Sequence, residues 1–330
     1  MKMSLLAQIT TTPIENGIKA VIYGATGMGK TTLACSAPKP LLIPTEGGFT
    51  NVDKTKVAVL PEVIRDFDSL VNVIKELVTC YSKEKNIIVL PDGREIKSIV
   101  LDSITATERL IHDKIIRSDK NWAAGNPTNV TMESAGNGYS SAYNAASEKM
   151  SELLRRLEFF SNRGINVIII AHSISYLEKD IAMGEEFTYT DCSLYSPRNG
   201  KFAGARDLLR QFVDLTGYMH SPFNTFKVGD SKNAIRVGNV TDGVKYMMGI
   251  NKNPRYEAKN RYDLENIEPI VIPKSVGWNA LAVQIKRYSG KDFINSDYPL
   301  GDKAIAAEIH ETIIADEDVI PVDATPEFTD

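Results

Sequence analysis

Cysteine is scarce in this sequence: Cys35, Cys80 and Cys192 stand far apart, and none belongs to a CxxC pair. An odd, scattered set excludes a disulfide framework or a cysteine-based zinc site and fits a reducing compartment. Long apolar runs are also missing. Nothing approaches the roughly 18 residues of a membrane-spanning helix, and the opening MKMSLLAQITTTPIENG lacks the apolar centre of a signal peptide. A soluble, cytoplasmic protein with no membrane partner is expected. A strong excess of one charge is absent as well, since the net charge is −4. That small value hides an asymmetry: residues 301–330 carry −8, with nine acids against Lys303, and residues 1–300 carry +4. The acidic end reads as a solubilising tail or as a competitor for a basic surface, and a body at +4 does not by itself demand a polyanionic partner.

What is present is a globular composition, 43% hydrophobic and 24% charged, enough for a substantial core. The run GIKAVIYG predicts a strand ending in glycine, and KTTLACSAP a helix closed by Pro38. KPLLIPTEGG predicts a second strand. DFDSLVNVIKELVTCY has apolar residues at helical spacing, Leu70, Val71, Ile74, Leu77 and Val78. A hairpin turning at Pro91-Asp92-Gly93 leads into a buried strand at Ile99–Leu101, and a helix is expected over Ile104–Ile116. SSAYNAASEKMSELLRRLEFFSNRG is the clearest amphipathic helix, stopped by Gly164, and INVIIIAHS is an apolar strand. Alternating helices and strands that are apolar on both faces predict an α/β fold, a mostly parallel sheet with helices on each side. The expected organisation is an N-terminal segment 1–16, one α/β domain over 17–265, a small, weakly strand-like appendage over 266–310, and an acidic tail over 311–330.

GATGMGKT, Gly24 to Thr31, matches the phosphate-loop pattern GxxxxGK[ST] and lies between an expected strand and helix, where that pattern belongs. Its glycines let successive N–H groups turn toward phosphate oxygens at the positive end of the following helix. The candidate nucleotide-binding residues are Gly24, Ala25, Thr26, Gly27, Met28, Gly29, Lys30, Thr31 and Thr32. Lys30 would reach the β- and γ-phosphates, and Thr31 would place its hydroxyl on Mg²⁺. Asp102, at the end of the strand in KSIVLDS, supplies the carboxylate a magnesium site needs at that sheet edge. As a helix N-cap Asp102 is replaceable, because Ser103 caps equally well. Two groups are candidates for handling water and the γ-phosphate: Glu46 after the second strand, and His172 at the end of VIIIAH. NKNP at 251–254 lacks the aspartate of a guanine-reading NKxD loop, so the expected cofactors are ATP and Mg²⁺.

IYGATGMGKTTLACSAPKPLLIPTEGG, IVLDSIT, NVIIIAHS and YEAKNRYDL, in this order, resemble the RecA-type ATPase core, and more closely phage-encoded RecA/RadA-like P-loop ATP-binding proteins. The likeness extends over roughly residues 18–264. It implies that Glu46 is the catalytic glutamate and that His172 stands where a polar residue, usually glutamine, senses the γ-phosphate. KNRYD resembles the RadA signature Lys-Asn-Arg-Phe-Gly, with Tyr262-Asp263 replacing the final pair. By that resemblance Lys259 and Arg261 are cations delivered to the nucleotide of a neighbouring subunit. The alternative is a surface turn paired with Glu257 and Asp263.

The same resemblance places two segments against DNA, about 117–139 and 174–206. The first offers Arg117, Lys120, Asn121, Trp122, Asn126 and Asn129. The second offers Tyr176, Lys179, Tyr189, Tyr195, Arg198, Lys201, Phe202 and Arg206. Aromatics among cations suit single strands, although Glu178, Asp180, Glu185, Glu186 and Asp191 dilute the charge. The expectation is an ATPase that self-assembles as a ring or filament on single-stranded DNA in recombination, annealing or repair, with a single-strand-binding or replication protein as a further partner. Two alternatives remain: a ring helicase or branch-migration motor of RadA/DnaB type, and a non-motor ATP-dependent switch that binds a protein.

Overall fold

β-Branched and aliphatic residues dominate the strands at the centre of this chain's sheet. The computed structural model describes residues 16–49, 52–120, 130–138, 140–179, 184, 186–197, 202–221, 223–228, 235–240, 246–264, 267 and 269–300. In chain order the elements are β1 (Lys19–Gly24), α1 (Lys30–Ala34), β2 (Pro40–Pro44), β3 (Ala58–Val59), α2 (Phe67–Thr79), β4 (Tyr81–Ser82), β5 (Ile87–Val89), β6 (Glu95–Ile96), β7 (Ser98–Asp102) and α3 (Ile104–Arg117). They continue with α4 (Ser141–Ser161), β8 (Asn166–Lys179), β9 (Glu186–Cys192), α5 (Ala205–Phe212), β10 (Leu215–His220), β11 (Phe223–Val228), β12 (Ile235–Val240), β13 (Met247–Gly249), β14 (Ile270–Val271) and α6 (Asn279–Ser289).

The main sheet runs β14-β13-β10-β1-β8-β7-β2-β3. From β10 to β3 all neighbours are parallel; β13 and β14 add antiparallel strands at one edge. The chain therefore has the mostly parallel, helix-flanked sheet of an α/β P-loop nucleotide-binding fold, as its alternating pattern predicts. Burial on both faces explains why the strands read as continuous apolar runs. Val21, Tyr23, Ile99, Leu101, Val167 and Ile169 face a core closed by α2, α3, α4 and α5. Their neighbours Ala20, Ile22, Val100, Ile168 and Ile170 face the opposite core, closed by α1 and α6.

Local signals set several boundaries. Asp66 caps α2 by accepting the Ser69 N–H at 2.8 Å, and Ser103 caps α3 by accepting the Ala106 N–H at 3.2 Å. Gly164 takes a left-handed φ of 77° just past α4, a turn a side chain would strain. The expected hairpin at Pro91-Asp92-Gly93 is β5–β6.

Three segments differ from the sequence reading. α1 covers only Lys30–Ala34 before the chain turns. β8 does not stop at Ser173: it continues to Lys179 and pairs antiparallel with β9. Much of the expected second DNA-facing loop is thus a pair of antiparallel strands, favoured by the alternation in SISYL and EFTYT. The weakly strand-like segment beyond 266 is mostly a helix. Leu281 and Ile285, one turn apart, bury α6 in the second core beside the fully buried Trp278, and Gly290 ends the helix at φ 73°. Residues 270–295 pack closely against the sheet. Trp278 donates from its backbone N–H to Ser36 Oγ at 2.8 Å, and Asn295 Nδ2 donates to the carbonyls of Ser36 and Ala37 at 2.9 and 3.0 Å. The tail 301–330 lies outside the described residues.

Candidate active site

Parallel strands bring their carboxyl ends to one edge, and the register sets which residues meet there. Gly24, the last residue of β1, pairs with His172 on β8, and Pro44 at the end of β2 pairs with Asp102 at the end of β7. Four stretches distant in sequence thus converge: the phosphate loop, the loop after β2, the β7–α3 junction and the middle of β8.

The loop turns through Gly27 and Gly29, at φ 83° and 75°, into the first residue of α1, Lys30. Lys30 is buried, and its Nζ donates to the carbonyls of Gly24 and Ala25 at 2.9 and 2.7 Å. Burial lowers its pKa against the pull of Asp102 and Glu46. Thr31 Oγ1 donates to Asp102 Oδ2 at 2.6 Å. Burial raises the pKa of Asp102; the Thr31 hydrogen bond opposes this, Glu46 adds to it, and Lys30 and His172 counter it. The hydroxyl and carboxylate are oxygen donors of the kind Mg²⁺ takes, with remaining positions open to phosphate and water. Thr31 and Asp102 therefore fit a magnesium that arrives with a nucleotide.

Glu46 and His172 are in contact, with Nε2 and Oε1 2.8 Å apart and both side chains about a quarter to a third exposed. The His172 backbone N–H donates to Thr105 Oγ1 at 3.1 Å. The arrangement joins a carboxylate able to orient water to an imidazole on the strand beside the phosphate loop.

Some supporting residues escape a motif reading. The Thr45 hydroxyl donates to the Ser103 carbonyl at 2.8 Å and accepts the Ser103 N–H at 2.9 Å, fixing the β7–α3 junction directly after Asp102. The Tyr246 ring lies 3.8 Å from where a Cβ on Gly29 would sit. Adjacency to Glu46 is a local signal for Thr45; Tyr246 carries none.

Lys259 and Arg261 do not join this site within one chain. The backbone of Lys259 pairs with Thr216 of β10, and its Nζ donates to the carbonyls of Arg210 and Val213, both at 2.7 Å, at the end of α5. Burial, with the nearby charge of Arg261, lowers its pKa. Arg261 Nη1 donates to Asp214 Oδ1 at 3.0 Å, and the Asp214 N–H donates to the carbonyl of Lys19, the first residue of β1. Both cations thus sit toward the amino end of β1, whereas the phosphate loop follows its carboxyl end.

Of the segments expected to face DNA, Asn121, Trp122, Asn126, Asn129, Arg198 and Lys201 lie outside the described residues. Several of the others are engaged inside the fold. Arg206 donates to the Leu194 carbonyl at 2.8 Å and stands 3.5 Å from the fully buried Asp191. Tyr195 stacks on Tyr143, with centroids 4.2 Å apart, and the Tyr189 hydroxyl donates to Glu257 at 2.9 Å. Leu177 and Ile174, on β8, are exposed. Among the described residues no helix is long and apolar enough to cross a membrane.

A protein-family model described as an AAA domain matches residues 16–262. That span contains the phosphate loop, Glu46, Asp102, His172, Lys259 and Arg261. No curated protein matches the chain.

Proposed function

The chain belongs to this AAA-domain family of P-loop ATPases, and on that premise we propose that it is a Mg²⁺-dependent ATPase stimulated by single-stranded DNA, whose site is completed by a second copy of the chain. ATP binding and hydrolysis follow from the AAA domain; the nucleic acid, the metal dependence and the assembly are the further reading. The convergence of Lys30, Thr31, Asp102, Glu46 and His172 at one sheet edge carries the Mg²⁺–ATP part of this reading.

In this reading the loop N–H groups and Lys30 bind the β- and γ-phosphates. Mg²⁺, when bound with ATP, neutralises phosphate charge, and Thr31 and Asp102 are the residues that would hold it. Glu46 orients a water and accepts its proton as the terminal phosphoryl group leaves ADP. His172 holds the Glu46 carboxylate and reports on the γ-phosphate. Because β8 carries His172 and then runs on to pair with β9, a strand of nucleic acid on these two strands would bear directly on the Glu46–His172 pair. That continuity favours DNA stimulation over a simple constitutive ATPase.

Arg261 cannot serve its own nucleotide. β1 has six residues, so its first and last Cα atoms lie about 17 Å apart at ~3.3 Å per residue, beyond the reach of an arginine. A head-to-tail contact between copies would bring the amino-end face of one against the carboxyl-end face of the next. Arg261 then supplies charge to the neighbour's γ-phosphate, while Lys259 fastens the segment that carries it. Such an assembly, acting in recombination, annealing or repair, is the role that fits the likeness to RecA- and RadA-type cores.

The deciding experiment measures steady-state ATP hydrolysis at low salt with Mg²⁺, with and without a saturating single-stranded oligonucleotide. Strong stimulation that fades as salt rises is expected. Hydrolysis indifferent to the oligonucleotide would overturn the DNA reading and favour a switch that answers to a protein partner.

A further inference from the structure

At the amino end of β1 the fold encloses a pocket of about 380 Å³ whose charged lining residues are Lys19, Asp214, Arg261 and Lys291. Three cations and one carboxylate line it, with a second carboxylate, Glu158, beside Lys19. Their commitments differ. Lys19 Nζ lies 3.5 Å from Glu158 and 3.9 Å from Asp214. Arg261 is bonded to Asp214 but remains about half exposed. Lys291 is exposed, with its ammonium 5.4 Å from the Tyr262 ring centroid, and it makes no ion pair among the described residues. Lys259, adjacent in sequence to the Arg261 segment, does not line the pocket and gives its ammonium to two carbonyls at the end of α5. Burial first, and the charge of Arg261 after it, lowers the pKa of Lys259.

We propose that this pocket is a phosphate-binding site, and that Lys291, rather than Lys259, is the cation that joins Arg261 on the terminal phosphate of a nucleotide held by a second copy of this chain. The inference rests on the assembly reading above and changes which residues take part. Lys291 lies 30 residues beyond Arg261 in sequence, just past α6, and the two are brought together only because α6 packs on the sheet. In the free subunit Asp214 holds Arg261. An arriving phosphate offers more oxygen acceptors than one carboxylate, so Arg261 can exchange partners while Asp214 keeps Lys19. Lys291 adds a strongly hydrated point charge on a flexible stem, suited to following that phosphate.

The test compares Lys291→Ala, Lys291→Arg and Arg261→Ala in the full-length protein, at concentrations where turnover per subunit no longer rises. Lys291→Ala is expected to lower turnover on the order of 10²-fold, with Lys291→Arg recovering most of it and nucleotide binding to dilute, separate subunits unchanged. Mixing Lys291→Ala subunits with Lys30→Ala subunits should give more turnover than either alone, because the second carries an intact pocket for the first. Full turnover by Lys291→Ala beside an inactive Arg261→Ala would overturn the role of Lys291 and leave the assembly reading standing. Full turnover by both would overturn the assembly reading as well. Loss in both without recovery on mixing would mean that neither cation acts on a neighbour's nucleotide and would overturn the proposed pocket.

Discussion

The two ends of the central sheet are built on different principles. At the carboxyl ends, Lys30, Thr31, Asp102, Glu46 and His172 touch or neighbour one another: Lys30 and Thr31 open α1, Asp102 ends β7, Glu46 follows β2, and His172 lies where β8 runs on. At the amino end, Lys19, Arg261 and Lys291 come from β1, an irregular segment and the chain just past α6. The first group satisfies itself through hydrogen bonds within one chain. The second leaves positive charge facing outward around Asp214, with Glu158 beside Lys19. A site that closes on its own chemistry can work inside one chain, whereas a cluster with surplus charge calls for an anion from elsewhere.

The sharpest way to break this comparison is Arg261→Ala. In assembled protein it should lower turnover on the order of 10³-fold or more while leaving nucleotide affinity of isolated subunits intact, as followed by steady-state hydrolysis and equilibrium nucleotide binding. Lys30→Ala strikes the other end and should cost on the order of 10²–10³ in turnover. Unlike the arginine variant, it should also weaken nucleotide binding in dilute subunits. The same response in both variants would erase the distinction between the ends.

A smaller effect concerns the support of the carboxyl end. Glu108, on α3, is buried, its two oxygens accept the Tyr195 N–H at 3.0 and 3.2 Å, and burial pushes its pKa up to about 7 from an ordinary 4.5. The folded state therefore holds a proton that the unfolded chain releases first. The stability this contributes is full below about 4.5 and is lost as pH rises through about 7, a change of up to about 3 kcal/mol. Glu108→Gln should flatten that slope, as read from urea midpoints across this range. The smallest change expected is for His172→Gln, whose amide can still bond Glu46: a fall in turnover of about tenfold, measured with saturating ATP.

Much of the carboxyl end is legible in the amino-acid sequence. A phosphate loop needs glycine where φ turns positive and a lysine at the start of the helix, so local chain geometry imposes the motif on the sequence. Asp102 and Glu46 are visible because each follows an apolar strand, and parallel strands deliver their ends to one edge. The Glu46–His172 hydrogen bond is not legible, since it depends on β7 lying between β2 and β8 and on the height of each strand in the register. The pairing of β8 with β9 escapes a sequence reading because its Ser- and Thr-rich alternation resembles an exposed loop. α6 escapes it because the buried stripe is short, although Leu281, Ile285 and the closing Gly290 carry the signal.

By itself the sequence determined the alternation of strands and helices, the phosphate loop and the carboxylates of its neighbouring strands, because those features answer to residues close along the chain. Tertiary structure alone decided that Lys259 caps a helix end, that Asp214 holds Arg261, and that Lys291 shares a pocket with Lys19. Charges separated by tens to hundreds of residues have no local pattern to betray them. Only the packing of α6 and the strand order bring them within reach of one another.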